Sequence, residues 1–72
     1  MSAIATRIGR VIRREREKRG LSQEALSELA GINRSFLGEI ERGMAIPSIV
    51  TLQKLADSLG VKLSELISHY EQ

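Results

Sequence analysis

Apolar residues recur along this chain at spacings of three and four, and nowhere alternate with polar ones for long enough to make a strand. Ile4, Ile8 and Ile12 share one face with Val11 beside it, which predicts a helix from about Ala3 to Lys18. Arg19-Gly20 closes it, since glycine readily takes the left-handed conformation that ends helices. Ser22 is placed to cap a short second helix, Gln23 to Ala30, with Ala25, Leu26 and Leu29 as its apolar side. Glu24 suits the positive end of that helix. Gly31 stops it, and Asn33 caps a third helix that carries Phe36, Leu37 and Ile40 and ends at Arg42-Gly43. After the connector "MAIP", Ser48 caps a fourth helix in which Ile49, Leu52, Leu55, Ala56 and Leu59 repeat. Gly60 closes that one, and Val61, Leu63, Leu66 and Ile67 supply a short fifth. The expected fold class is all-α, a compact five-helix bundle forming a single domain over residues 1–72.

Within this pattern, residues 23–42 read as helix, glycine-containing turn, helix, which is a helix-turn-helix unit. The pair cannot bury both inner faces alone, so helices one, four and five are expected to cover them. Helix three poses a question. Its inner side is Phe36, Leu37 and Ile40, but its outer side is Arg34, Ser35, Gly38, Glu39 and Arg42. A mid-helix glycine weakens a helix by roughly 1 kcal/mol relative to alanine. Either Gly38 is merely tolerated, or it lets the helix backbone approach something closely.

Composition narrows the field. The net charge of +2 hides an asymmetry. Residues 1–19 hold seven basic side chains against Glu15 and Glu17, whereas residues 20–72 hold four basic against seven acidic. A basic end on a near-neutral body fits either a polyanionic partner or a solvated first helix. There is no Cys and one His, which excludes disulfides and a Cys/His zinc site. With no thiol nucleophile, metal cluster or phosphate-cradling glycine loop, no enzymatic activity and no cofactor are expected. No apolar run approaches the ~20 residues of a membrane span, and "MSAIATRIGRV" lacks the apolar stretch of a signal peptide. A cytoplasmic protein with no membrane partner is expected. A core this small is marginal, and association between copies is the remaining aid to stability.

The segments "LSQEALSELAGINRSFLGEIERG" and "PSIVTLQKLADSLGV" resemble the phage repressor and Cro-like (XRE-type) helix-turn-helix domains. The likeness covers roughly residues 8–67. It rests on Leu21-Ser22-Gln23-Glu24, Gly31-Ile32, Ile40-Glu41-Arg42-Gly43, Pro47-Ser48 and Leu55-Ala56 at the family's spacing. Within the family, Arg34, Ser35, the aromatic Phe36 and the Glu-Arg after Ile40 look like the small controller proteins of restriction-modification systems. The resemblance implies a lambda-repressor-like DNA-binding domain. It implies a sequence-specific transcriptional regulator, a homodimer on a partly palindromic operator in double-stranded DNA, with helix three in the major groove. An antitoxin or protein-interaction module on the same fold is the alternative. Contact with RNA polymerase or a toxin partner belongs to these two readings respectively.

The resemblance also implies residue roles. Arg34, Ser35 and Glu39 are the expected base contacts. Arginine in the first turn of the recognition helix can offer two N–H groups to guanine O6 and N7, and Glu39 either accepts from cytosine or orients Arg34 or Arg42. Gln23, Asn33, Phe36, Arg42, Ser48 and Arg16 are the expected contacts to the DNA backbone. Phe36 is alternatively core. Arg16 and Glu41 match a partly buried ion pair between helices one and three, which gives Arg16 a structural role first. Val61, Leu63 and Ile67 are the expected dimer surface, with Leu63 alternatively core.

Three positions depart from the family pattern. Glu15 stands where an apolar residue is usual, and should either face solvent or pair with Arg19 four residues on. Ser27 stands in place of alanine and is small enough to fit. "GMAIP" replaces a more polar loop, so Met44-Ala45-Ile46 becomes a candidate apolar patch.

Overall fold

In the computed structural model, residues 3–68 are described and fold into five helices. These are α1 (Ala3–Lys18), α2 (Gln23–Ala30), α3 (Arg34–Glu41), α4 (Ile49–Leu59) and α5 (Leu63–Ser68). Val61 precedes α5 rather than lying in it. His69 and Tyr70, to which no role is assigned, lie outside the described residues.

The helix starts are made as the sequence dictates. Ser22 Oγ accepts from Ala25 N at 3.0 Å, and Ser48 Oγ accepts from Thr51 N at 3.1 Å. Each bond satisfies one of the N–H groups that a helix start leaves without an internal partner. The turn between α2 and α3 depends on Gly31, whose φ of 68° lets its own N–H and that of Ile32 close back on Glu28 O and Ser27 O. Ser27 is buried, and its hydroxyl donates to Glu24 O at 2.8 Å, so the serine fits without leaving a polar atom unmet.

One core joins the helices. Ile12, Leu26, Leu37, Ile40 and Leu55 are fully enclosed, and Leu59 and Leu66 bring α4 and α5 against them. Each such side chain stabilises the fold by about 1.5–3 kcal/mol through removal from water. α1 packs on α3, and α2 packs on both α3 and α4. The helix-turn-helix pair is thus covered on its inner side while the outer side of α3 stays open.

Three apolar residues expected in the core are not there. Ile4 is 42% exposed, Leu29 62% and Ile49 59%. On α1, Ile8, Val11 and Ile12 are buried as expected, and Ala5 and Gly9, rather than Ile4, complete the buried face. At Gly9 the face must be small because α3 comes so close. A methyl on Gly9 would strike the carbonyl oxygens of Ile40 and Glu41, the latter at 2.8 Å. Leu29 lies on the outer side of α2, whose inner side is Leu26, Ser27 and Ala30. Ile49 is the first residue of α4, ahead of the buried series that starts at Leu52.

Candidate nucleic-acid interface

Asn33 sets the start of α3. Its Oδ1 accepts from Ser35 N at 2.7 Å and Phe36 N at 3.3 Å. With the helix anchored there, Leu37 and Ile40 fall into the core while Arg34, Ser35 and Glu39 face solvent. Phe36 is half-buried against the core, so its ring serves packing first.

The outer face is concave. Gln23, Arg34, Ser35, Gly38, Glu39 and Arg42 line an open hollow of about 270 Å³. The three expected base contacts therefore stand together, with Gln23 and Arg42 at the same hollow. Neither Arg34 nor Arg42 takes part in an ion pair among the described residues. Two guanidiniums and one carboxylate give the hollow a positive balance suited to guanine edges and phosphates.

Behind the hollow lies a fixed polar joint. Arg16 Nε donates to Glu41 Oε2 at 2.8 Å, and its NH2 nitrogen donates to Glu41 Oε1 at 3.0 Å. The remaining guanidinium nitrogen donates to Leu21 O at 2.7 Å. The two side chains are 11% and 2% exposed. Glu41 hydrogen bonding raises the pKa of Arg16 above the ordinary guanidinium value, against the opposing effect of burial. The expected ion pair is thus formed in bidentate geometry, with Arg16 turned inward to the fold. Gln23 joins it, its Nε2 donating to Glu41 Oε1 at 3.0 Å. The first residue of α2 is thereby tied to the last residue of α3, and one wall of the hollow is held in place.

The other expected residues are more dispersed. Ser48 is exposed at the start of α4 and is engaged in its cap, its hydroxyl also donating to Thr51 Oγ1 at 3.1 Å. Val61, Leu63 and Ile67 are all half-buried, and the first two pack against the core. Glu15 faces Arg19 at 2.9 Å and Lys18 at 3.2 Å. The bond from Arg19 holds its carboxyl below the ordinary value against an upward push from burial, and Lys18 adds a lesser downward effect. The charge on α1's expected apolar face is therefore accommodated by pairing. Among the described residues there is no cluster of His, Asp or Glu able to hold a metal ion, and no helix long and apolar enough to cross a membrane.

Two features of the site escaped the sequence. The Gln23–Glu41 bond joins residues eighteen apart and leaves no local signal. Gly38, on the polar side of α3, is nonetheless buried. Only its departure from helix-forming residues marked it in advance.

The fold and this hollow define a helix-turn-helix DNA-binding domain. The helix-turn-helix family model HTH_3 matches residues 12–66, and the chain belongs to that family. It is a DNA-binding helix-turn-helix transcriptional regulator. Among its relatives is the control protein C.MunI of a Mycoplasma species, 37% identical over all of this chain and 99% of that one. A similar solved structure is the restriction-modification controller protein C.AhdI from Aeromonas hydrophila. It is 40% identical with a TM-score of 0.88, over 90% of this chain and 98% of that one. Another is the biofilm regulator SinR in complex with DNA, 38% identical with a TM-score of 0.79, over 82% of this chain and 95% of that one. Some relatives are longer, and the chain spans 38% of one and 42% of another.

Proposed function

We propose that the chain binds a partly palindromic operator as a homodimer and regulates transcription by occupancy, in the manner of a restriction-modification controller protein. The observation that carries this reading is the hollow itself, where Arg34, Ser35 and Glu39 converge on the outer face of α3. α3 enters the major groove, and these three side chains meet base edges. Gln23 and Ser48, at the starts of α2 and α4, meet the flanking phosphates together with the N–H groups of those helix starts. Asn33 and Phe36 border the backbone from the first turn of α3. The half-buried Val61, Leu63 and Ile67 form the contact between copies. Two recognition helices then fall about 34–36 Å apart, one turn of the duplex. The likeness to the controller proteins C.MunI and C.AhdI over nearly the whole of each chain supports the same reading.

A second reading, an antitoxin or protein-interaction module, is favoured by one observation. Met44, Ile46, Ile49 and Val50 are all exposed apolar side chains in one stretch of chain. Contact with RNA polymerase would be a further use of such a surface. Selection from a random duplex pool at low salt separates the readings. An enriched inverted repeat with one half-site spacing supports the dimeric regulator. No enrichment by folded protein moves the choice to the interaction module.

A further inference from the structure

Gly38 lies on the polar side of α3 and yet is buried, and the side chain that covers it is Arg42. A side chain on a helix leans toward the N-terminus, so Arg42 at the end of α3 runs back over the position one turn earlier. A Cβ on Gly38 would lie 3.1 Å from one terminal nitrogen of the Arg42 guanidinium and 3.9 Å from its Cζ. It would also lie 3.8 Å from Gln23 Oε1. A side chain at position 38 would thus press on one end of the guanidinium and push it off its present position on the helix. The Gln23 amide, close to the same position, is held by Glu41, which Arg16 holds in turn. All three residues line the same hollow as Arg34 and Ser35.

We infer that Gly38 and Arg42 act as one specificity unit, in which the missing side chain at 38 lets the Arg42 guanidinium lie along the reading face of α3 and address a guanine edge. This rests on the DNA-binding reading given above. Its chemistry is that of a guanidinium with no carboxylate partner among the described residues, presented from a groove-facing hollow. The role of Gly38 is positioning. It acts through Arg42, and not by bringing the α3 backbone itself against the duplex.

The test is to repeat the duplex selection with wild type, Gly38→Ala, Arg42→Ala and the double variant, measuring affinities for the wild-type site alongside. Thermal melts accompany them, and Gly38→Ala is expected to melt no lower than wild type, because alanine is the better helix former. Gly38→Ala should weaken binding roughly three- to tenfold and relax a guanine preference in each half-site. Arg42→Ala should relax the same base pair. In the Arg42→Ala background, Gly38→Ala should add less than about twofold. Equal weakening by Gly38→Ala in both backgrounds would overturn the inference in favour of direct backbone approach. So would relaxation at a base pair that Arg42→Ala leaves untouched, or uniform weakening by Arg42→Ala on all sequences. Failure of the wild-type chain to enrich any site would overturn the DNA reading itself, and is distinguishable from these.

Discussion

Arg16 and Arg34 present the same guanidinium near the two ends of α3, one to Glu41 at its last residue and one from its first. Arg16 lies behind the helix at the joint with α1, gripped by both oxygens of Glu41 and by Leu21 O. Arg34 stands at the front in the open hollow, with no ion pair among the described residues. The first is spent on holding α1, α2 and α3 in register. The second is left available to a ligand. A buried guanidinium must have its hydrogen bonds met inside the protein, whereas an exposed one has them met by water until a base or phosphate displaces it. The lesson is that charge on a small domain does not identify a binding surface. The candidate surface is marked by unengaged charge gathered in a hollow, as Arg34 and Arg42 are.

The largest expected effect breaks the inner side. Glu41→Ala should cost roughly 3–5 kcal/mol, because it strands a buried guanidinium and removes the acceptor of Gln23. A loss of that size approaches the whole stability of a domain this small. Urea unfolding measures it, and a loss under about 1 kcal/mol would mean the joint is not buried in solution.

Arg34→Ala should do the reverse. Stability should stay within about 0.5 kcal/mol of wild type, as for most surface substitutions. Operator affinity should fall by roughly 1–3 kcal/mol with relaxed preference at one base pair per half-site. Binding titrations on operator and scrambled duplex decide it. Equal weakening on both would demote Arg34 to a phosphate contact and blunt the contrast with Arg16.

The smallest effect is a pH dependence from the α1 surface. The Glu15 carboxyl is held low by Arg19, so its contribution is complete above the unfolded carboxylate value of about 4.3. It is lost as pH falls through the lower folded value. Because Arg19 and Lys18 are substantially exposed, screening limits the contribution to roughly 0.2–1 kcal/mol. The stability difference between wild type and Glu15→Gln should therefore shrink below pH ~4. A difference that is constant down to pH ~2 would show that the pairing is not responsible.

Much was legible in the chain alone. Helix limits followed from local rules, because Ser22, Asn33 and Ser48 bond to amides only two or three residues away. The polar outer side of α3 was equally visible, since helical spacing separates Arg34 and Glu39 from Leu37 and Ile40 without reference to any neighbour. The Arg16–Glu41 pair was expected only through the family resemblance, as nothing local connects residues twenty-five apart.

Tertiary structure decided what bulk hydrophobicity cannot. Ile4 looked like core and Ala5 and Gly9 did not, yet the small residues complete the buried face, and at Gly9 α3 comes within reach of its own carbonyls. A hydrophobic pattern records which residues avoid water, not how closely two helices pack. The covering of Gly38 by Arg42 and the bond from Gln23 to Glu41 are likewise products of the folded arrangement. The sequence by itself determined the helices, their caps and the polar outer side of α3. Only the packing of α1 and α2 on α3 decided which cations are fixed within the fold and which are left exposed in the hollow, because that depends on distances between segments that no local rule sets.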